Sequence, residues 1–288
     1  MPEAKIGVIG GSGLYDVEDM TDVEEVEIST PFGNPSDVIT IGTLEGRRVA
    51  FLPRHGRGHR LSPSEVPSRA NIYAFKTLGV EEVISISAVG SMRDEIAPLH
   101  IVIPDQILDR TKGRHGSFFG DGIVVHVGFA DPFCPELSRS LYDAAKLVGA
   151  RVHKGGTYVC IEGPQFSTRA ESRVYRQWGV DVIGMTALPE AKLAREAEMC
   201  YATLALVTDY DVWHEAEEPV TVEMIVANLQ KNVQTAKDIL KAVLPNARDS
   251  RDCDCTHALE NAVITQWDKI PGTTKERVAA LVNKYVPA

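Results

Sequence analysis

A single-domain α/β fold built on a largely buried sheet is predicted by three observations. Short β-branched runs recur along the chain, helical stretches separate them, and no Pro/Ser/Gly-rich linker, internal repeat or low-complexity tract divides its 288 residues. A chain of this length buries a core readily.

The strand-like runs are Lys5–Gly10, Val38–Leu44, Arg47–Pro53, Glu81–Val89, His100–Leu108, Thr157–Gly163, Asp181–Thr186 and Ala202–Asp211. Helices are predicted over Ser68–Leu78, Pro135–Val148, Thr168–Trp178, Pro189–Glu198 and about Thr221–Leu244. In the last of these Val222, Ile225, Val226, Leu229, Val233, Ala236, Leu240 and Val243 recur at spacings of three and four. After Pro245 the chain turns polar through the Cys253-Asp254-Cys255 segment, and helical segments are predicted over Ala258–Trp267 and Thr274–Tyr285. The expected organisation is a catalytic unit over 1–245 and a C-terminal extension over 246–288 packed on the same domain.

A net charge of -10 with no Lys/Arg run argues against nucleic acid and anionic membranes as partners. No segment approaches the ~18 apolar residues of a membrane span, so a cytoplasmic protein is expected. Cys134, Cys160, Cys200, Cys253 and Cys255 contain no C-x-x-C pair and no matched histidine spacing, so no metal is expected. Cys253 and Cys255 read as a small redox couple, as partners of a third cysteine in an oxidising or thermophilic cell, or as a reduced polar segment of no consequence.

Several strand ends carry side chains suited to an anion. Gly10-Gly11-Ser12-Gly13 offers backbone N–H groups and a hydroxyl, although on its own a plain tight turn is the better reading. It matches neither the dinucleotide fingerprint nor the P-loop. Arg54 and His55 follow another strand and offer a guanidinium fork and an imidazole, the other reading being a solvated salt-bridge pair. Ser87 sits in a third run. Phe166, at a strand-to-helix junction, can stack on a flat base or pack in the core. Asp209 and Asp211 stand two apart, which in extended geometry aims both carboxylates one way. Each then raises the other's pKa, leaving one as a general acid; a cap or salt-bridge role is the alternative.

Taken together, the segments around Gly10-Gly11-Ser12-Gly13, Pro53-Arg54-His55-Gly56, Ser87–Ile96, Ile161–Ser172, Val182–Glu196 and Val207–Trp213 resemble the 5′-methylthioadenosine phosphorylases of the trimeric purine nucleoside phosphorylase superfamily, from Lys5 to about Leu244. The resemblance implies a mixed, partly barrel-like central sheet flanked by helices and a homotrimer or homohexamer. It implies phosphorolysis of 5′-methylthioadenosine to adenine and methylthioribose-1-phosphate, a pentosyl transfer in purine and methionine salvage. Inorganic phosphate would be a co-substrate, with no metal or organic cofactor. It assigns Ser12, Arg54, His55, Ser87, Thr186 and the Ala88 backbone to phosphate, and Met185 to the ribose. Phe166 and Ser167 would meet the base, Asp209 and Asp211 its N7 and N6, and Val222 and Ile225 the 5′ group. His126 would reach into a neighbouring subunit's site. Gly184 stands where some relatives carry asparagine, and glycine there also occurs in 6-oxopurine enzymes. A 5′-methylthioinosine or other 6-oxopurine nucleoside phosphorylase is therefore the alternative enzyme, and a noncatalytic purine nucleoside-binding protein the alternative of another class. On this reading Arg54→Ala weakens phosphate use and leaves the nucleoside pocket whole.

Overall fold

A computed structural model describes residues 3–11, 19–214, 222–248 and 250–286. Ser12 lies outside them. Apolar residues with β-branched neighbours form β1 (Ile6–Gly10), β3 (Ile39–Leu44), β4 (Arg47–Pro53), β5 (Glu82–Ser91), β10 (Val182–Gly184) and β11 (Cys200–Asp209). The run His100–Leu108 divides into β6 (Ile101–Ile103) and β7 (Gln106–Arg110), and β9 (Thr157–Ile161) follows β8 (Val152–Lys154). β8 and β2 (Thr21–Val26) have no counterpart among the predicted strands; β2 is exposed from Thr21 to Glu25 and carries no apolar alternation.

The sheet of 11 strands is mixed and forks at β5. One edge of β5 pairs with β11 over nearly its whole length. The other edge pairs first with β1, up to Ile9 opposite Ser85, and then with antiparallel β10, where Ile183 lies opposite Gly90. Beyond the fork, β11 pairs with β6 and β6 with β8, while β10 pairs with β9 and β9 with β7. Because β6 runs into β7 and β8 into β9, the ladders pass from β5 through both limbs and return to it. This is the barrel-like part of the sheet.

Helices cover both faces. α1 (Ser68–Thr77) and α4 (Ala187–Glu196) bury Ile72, Phe75, Ala191 and Leu193 in one core. α2 (Pro135–Leu147) and α5 (Val222–Val243) bury Leu137, Leu141, Ala236 and Leu240 in the other. α3 (Arg169–Gln177) starts on a capping box in which Thr168 and Glu171 satisfy one another's backbone N–H groups. The stripe of α5 is buried only from its middle onward; Val222 and Val226 at its start are exposed.

The expected helix Ala258–Trp267 does not form. Asn261 takes a left-handed conformation (φ 61), and the following residues pair as extended chain, with Val263 bridged to Val125. α6 (Gly272–Val282) does form and adds Val278 and Leu281 to the core shared with α1.

Glu196, buried in α4, accepts hydrogen bonds from the Ser117 hydroxyl and the Phe118 N–H. Burial outweighs both and pushes its carboxyl from 4.5 up to about 7. The folded state therefore holds a proton that the unfolded chain releases, and stability falls as pH rises from 4.5 to about 7. Denaturant unfolding across that window should show this decline in wild type and a flatter profile in Glu196→Gln.

Candidate functional site

Strand backbone groups alternate between the two edges of a sheet. On the β1/β10 edge of β5, Ser85 is the last residue opposite β1 and Gly90 the first opposite β10, leaving residues 86–89 with no strand beside them. The Ile86 carbonyl faces this gap and accepts a hydrogen bond from Arg54 (2.9 Å). By alternation the Ala88 N–H faces it too. A backbone donor at a break in a sheet, beside the C-terminal ends of parallel strands, is where α/β folds take up ligands.

Hydroxyls surround the gap. Ser87 Oγ, Thr186 Oγ1 and Tyr158 Oη are buried and have no hydrogen-bond partner among the described residues. Burial pushes the Tyr158 phenol up to about 12, with the Thr186 and Ser87 hydroxyls close enough to oppose the shift. Three unsatisfied donors at one place call for an acceptor-rich guest, since each costs about 1–3 kcal/mol if left unmade. Tyr158 was missed in the sequence because a tyrosine within an apolar strand reads as core. Its hydroxyl occupies the space over Gly184, where an added Cβ would lie 1.9 Å from it. That is the physical reason glycine stands at this position.

Arg54 is placed differently from the expectation of an open fork. It is 1% exposed and its Nε pairs with Glu190 Oε1 at 2.5 Å. Nη2 reaches Glu190 Oε2, Ser85 Oγ and the Ile9 carbonyl, and Nη1 the Ile86 carbonyl. Among the described residues this leaves one Nη1 hydrogen for a ligand. Tyr201 also donates to Glu190 (3.0 Å). The main task of Arg54 is thus to hold β1, β4, β5 and α4 together. To the expected loss of phosphate use in Arg54→Ala this adds the loss of a buried structural contact.

His55 Nδ1 lies 2.8 Å from the Leu61 carbonyl, which can only accept, so Nδ1 carries the proton. Burial, helped by the neighbouring Arg54 charge, lowers its pKa to about 4. The ring is neutral at pH 7, and Nε2 offers a lone pair.

Farther along β5, Gly90 lies beneath the acidic pair, which comes from the end of β11 on the opposite edge: a Cβ there would meet Asp209 Oδ1 at 2.9 Å and Asp211 Cβ at 3.4 Å. Asp209 ends β11, accepting from Thr208 Oγ1 (2.7 Å) and the Asp211 N–H (2.8 Å). Asp211 is left-handed (φ 53) rather than extended, and both its oxygens accept from Ser167 Oγ. Both carboxyls are shifted upward, chiefly by burial. The charge of Asp211 is the smallest contribution at Asp209, so desolvation rather than mutual repulsion is the governing cause.

Met185 follows β10 and packs under Gly163, its carbonyl held by Arg114 (2.6 Å). Arg114, also missed in the sequence, further binds the Leu188 and Glu162 carbonyls and so fixes the loops after β9 and β10. Phe166 is 54% exposed on the first of these loops, so it is not core. Ile225 is half-buried at the start of α5, and Asn228 and Asn232 tie that helix to the Thr208 and Val207 carbonyls. His126 is on a separate segment, where its N–H binds the Ala262 carbonyl. Within one chain it is not brought to the gap. A cavity of about 500 Å³ opens at the opposite end of the sheet, lined by Lys5, Arg47, Glu81 and Arg248. It contains none of these hydroxyls or carboxylates, and the gap is the candidate site. The four cysteines Cys134, Cys200, Cys253 and Cys255, which the sequence spaces too widely to suggest a ligand set, come together in the fold.

Residues 5–245 match the phosphorylase superfamily. The chain is 57% identical over 285 residues to the S-methyl-5′-thioadenosine phosphorylase of Geobacter sulfurreducens, covering 99% of this chain and 100% of that one. It is 58% identical over 286 residues to the enzyme of the same name from Chloroflexus aurantiacus, covering 99% of each. Among solved structures, a methylthioadenosine phosphorylase from an antarctic soil metagenomic library superposes with a TM-score of 0.94 at 51% identity, covering 100% of both chains. Methylthioadenosine phosphorylase from Schistosoma mansoni in complex with adenine superposes with a TM-score of 0.82 at 35% identity, covering 98% of both.

Two expectations test this geometry. Arg54→Ala strands Glu190 as a buried, unpaired charge and should cost about 3–5 kcal/mol in denaturant unfolding. Gly184→Ala drives a methyl into the Tyr158 hydroxyl and should cost about 1–3 kcal/mol, most of it recovered by adding Tyr158→Leu. An undiminished unfolding midpoint in either single variant would contradict the packing.

Proposed function

The chain belongs to the phosphorylase superfamily, and from that membership and the geometry of the gap we propose that it cleaves 5′-methylthioadenosine with inorganic phosphate, releasing adenine and 5-methylthioribose-1-phosphate. The observation that carries this reading is the pair of unsatisfied hydroxyls, Ser87 and Thr186, at the break beside β5, with the buried carboxyls of Asp209 and Asp211 farther along the strand over Gly90. Cleavage of an N-glycosidic bond builds positive character on the sugar and negative charge on the purine. An anion held in the gap stabilises the first. A protonated carboxyl stabilises the second by donating to N7.

The residues divide that work by chemistry. Ser87, Thr186, the Ala88 N–H, one Arg54 hydrogen and the Ser12 hydroxyl donate to phosphate oxygens. Neutral His55 supplies an acceptor through Nε2, which suits the single P–OH of monohydrogen phosphate. Met185 supports the ribose, and Phe166 is free to stack on the base. Burial raises the Asp209 carboxyl and favours the protonated form a general acid needs. Asp211, anchored by Ser167, orients the Asp209 side through its N–H and is available to the exocyclic amino group. Val222 and Ile225 offer only carbon to the 5′ substituent, which favours methylthio over hydroxyl. No organic cofactor is needed for this reaction.

We further propose a homotrimer or a multiple of one, located in the cytoplasm. The exposed Val124 and Ile264 are joined by a backbone hydrogen bond beside His126, and Val222 is exposed on α5, so apolar surface remains for another copy to cover. Among the described residues no helix is long and apolar enough to cross a membrane. Residues 1–245 would form the phosphorylase unit and 246–288 an extension packed on it.

Purified protein with 5′-methylthioadenosine should release adenine only when phosphate is present; binding without release would support a nucleoside-binding protein instead. Asp209→Asn should lower kcat on methylthioadenosine by about 10²–10⁴-fold and narrow or reverse the preference over methylthioinosine, because an amide can donate to O6. The wild-type rate should fall as pH rises through the raised Asp209 pKa, and this limb should vanish in the variant. A wild type that already prefers methylthioinosine would overturn the substrate assignment.

A further inference from the structure

The C-terminal cysteines meet two others far away in sequence. Cys134 caps the N-terminus of α2, Cys200 opens β11, and Cys253 and Cys255 bracket the start of a short 3-10 turn. All four are buried, and their Sγ atoms lie within 4.8 Å of one another, with Cys200 and Cys253 3.3 Å apart. The fifth cysteine, Cys160, is buried elsewhere, against the Leu188 carbonyl.

Four sulfurs within mutual reach are more than any pairwise contact requires, and they are what a tetrahedral ion requires. With Zn–S bonds of about 2.3 Å, the edges of such a tetrahedron measure about 3.8 Å, inside the spread seen here. A helix N-terminus and a guanidinium face the cluster. Cys134 occupies the N-cap position of α2, at the positive end of the helix. The Arg251 guanidinium stands 4.0 Å from Cys200 Sγ while binding the Glu81 and Glu198 carbonyls. All four sulfurs lie in the same buried core as Leu137, Ala202, Leu240 and Leu244, with Arg251 beside Cys200.

We propose that Cys134, Cys200, Cys253 and Cys255 form a structural four-cysteine site for a thiophilic divalent ion, Zn2+. It clasps the C-terminal segment to the start of β11 and the N-terminus of α2. On binding, each thiol that is still protonated releases its proton to solvent, and four Zn–S bonds form with no change of oxidation state. The ion takes no part in turnover, since β11 carries Asp209 at its other end.

The full-length protein, purified under reducing conditions without chelators, should contain about one zinc ion per chain by elemental analysis. Replacement by Co2+ should give the thiolate-to-cobalt charge-transfer and tetrahedral d–d absorption of a four-sulfur site. Cys253→Ser/Cys255→Ser should lose both the metal and the cobalt spectrum and lower the melting temperature, while kcat at ambient temperature stays unchanged; Cys160→Ser should keep the metal. Wild-type protein that holds no zinc after incubation with Zn2+ and a reductant, with all its thiols still titratable, would overturn the proposal. So would non-reducing mass spectrometry showing the four cysteines joined in disulfides in the protein as purified. Should the double variant fail to fold, the wild-type metal content and cobalt spectrum decide alone.

Discussion

The buried ion pair between Arg54 and Glu190 is the constraint on which the rest of the site depends. Two charges removed from water are tolerated only when geometry and further hydrogen bonds compensate the desolvation. Here the compensation is supplied by Ser85, Tyr201 and the Ile9 and Ile86 carbonyls. Because those partners belong to β1, β5 and β11, and Arg54 and Glu190 to the end of β4 and to α4, one interaction sets the relative position of five elements. The end of β1 is thereby held where β10 does not meet it, and the break along β5 stays open.

Around that break the side chains divide into holders and donors. Arg54, Glu190 and Arg114 commit most of their hydrogen bonds to the protein itself, which leaves little rotamer freedom near the ligand. Ser87, Thr186 and Tyr158 keep theirs uncommitted. The acidic pair is held in an intermediate way: Asp209 and Asp211 each accept from a hydroxyl, yet burial still dominates their proton affinity. A site with rigid supports and unsatisfied donors meets its reorganisation cost during folding rather than during each turnover.

Much of this was legible in the chain. Strand and helix runs from Lys5 to Val243 were visible in periodicity, and the site residues clustered at run ends. What could not be seen followed from distance in sequence. Glu190 is 136 residues from Arg54, so a lone arginine after a strand reads as a ligand fork rather than half of a buried pair. Tyr158 hides within an apolar strand, and β2 carries no alternation to betray it. The Ala258–Trp267 segment has a helical pattern, but Asn261 turns left-handed and sends Val263 to bridge Val125. The cysteines are spread from α2 to the segment beyond α5, and only the packing of β11 and the C-terminal segment against α2 brings them together.

The break in the β5 ladder also bears on how this protein can be probed. A donor that belongs to the main chain survives every side-chain truncation, so an alanine scan across residues 86–89 would report Ser87 and pass over the Ala88 amide in silence. Its contribution becomes measurable only when the peptide link itself is altered, as by an ester in place of that amide. Sequence variation at such a position is accordingly a poor guide to its importance, because the atom that matters is common to nearly every amino acid.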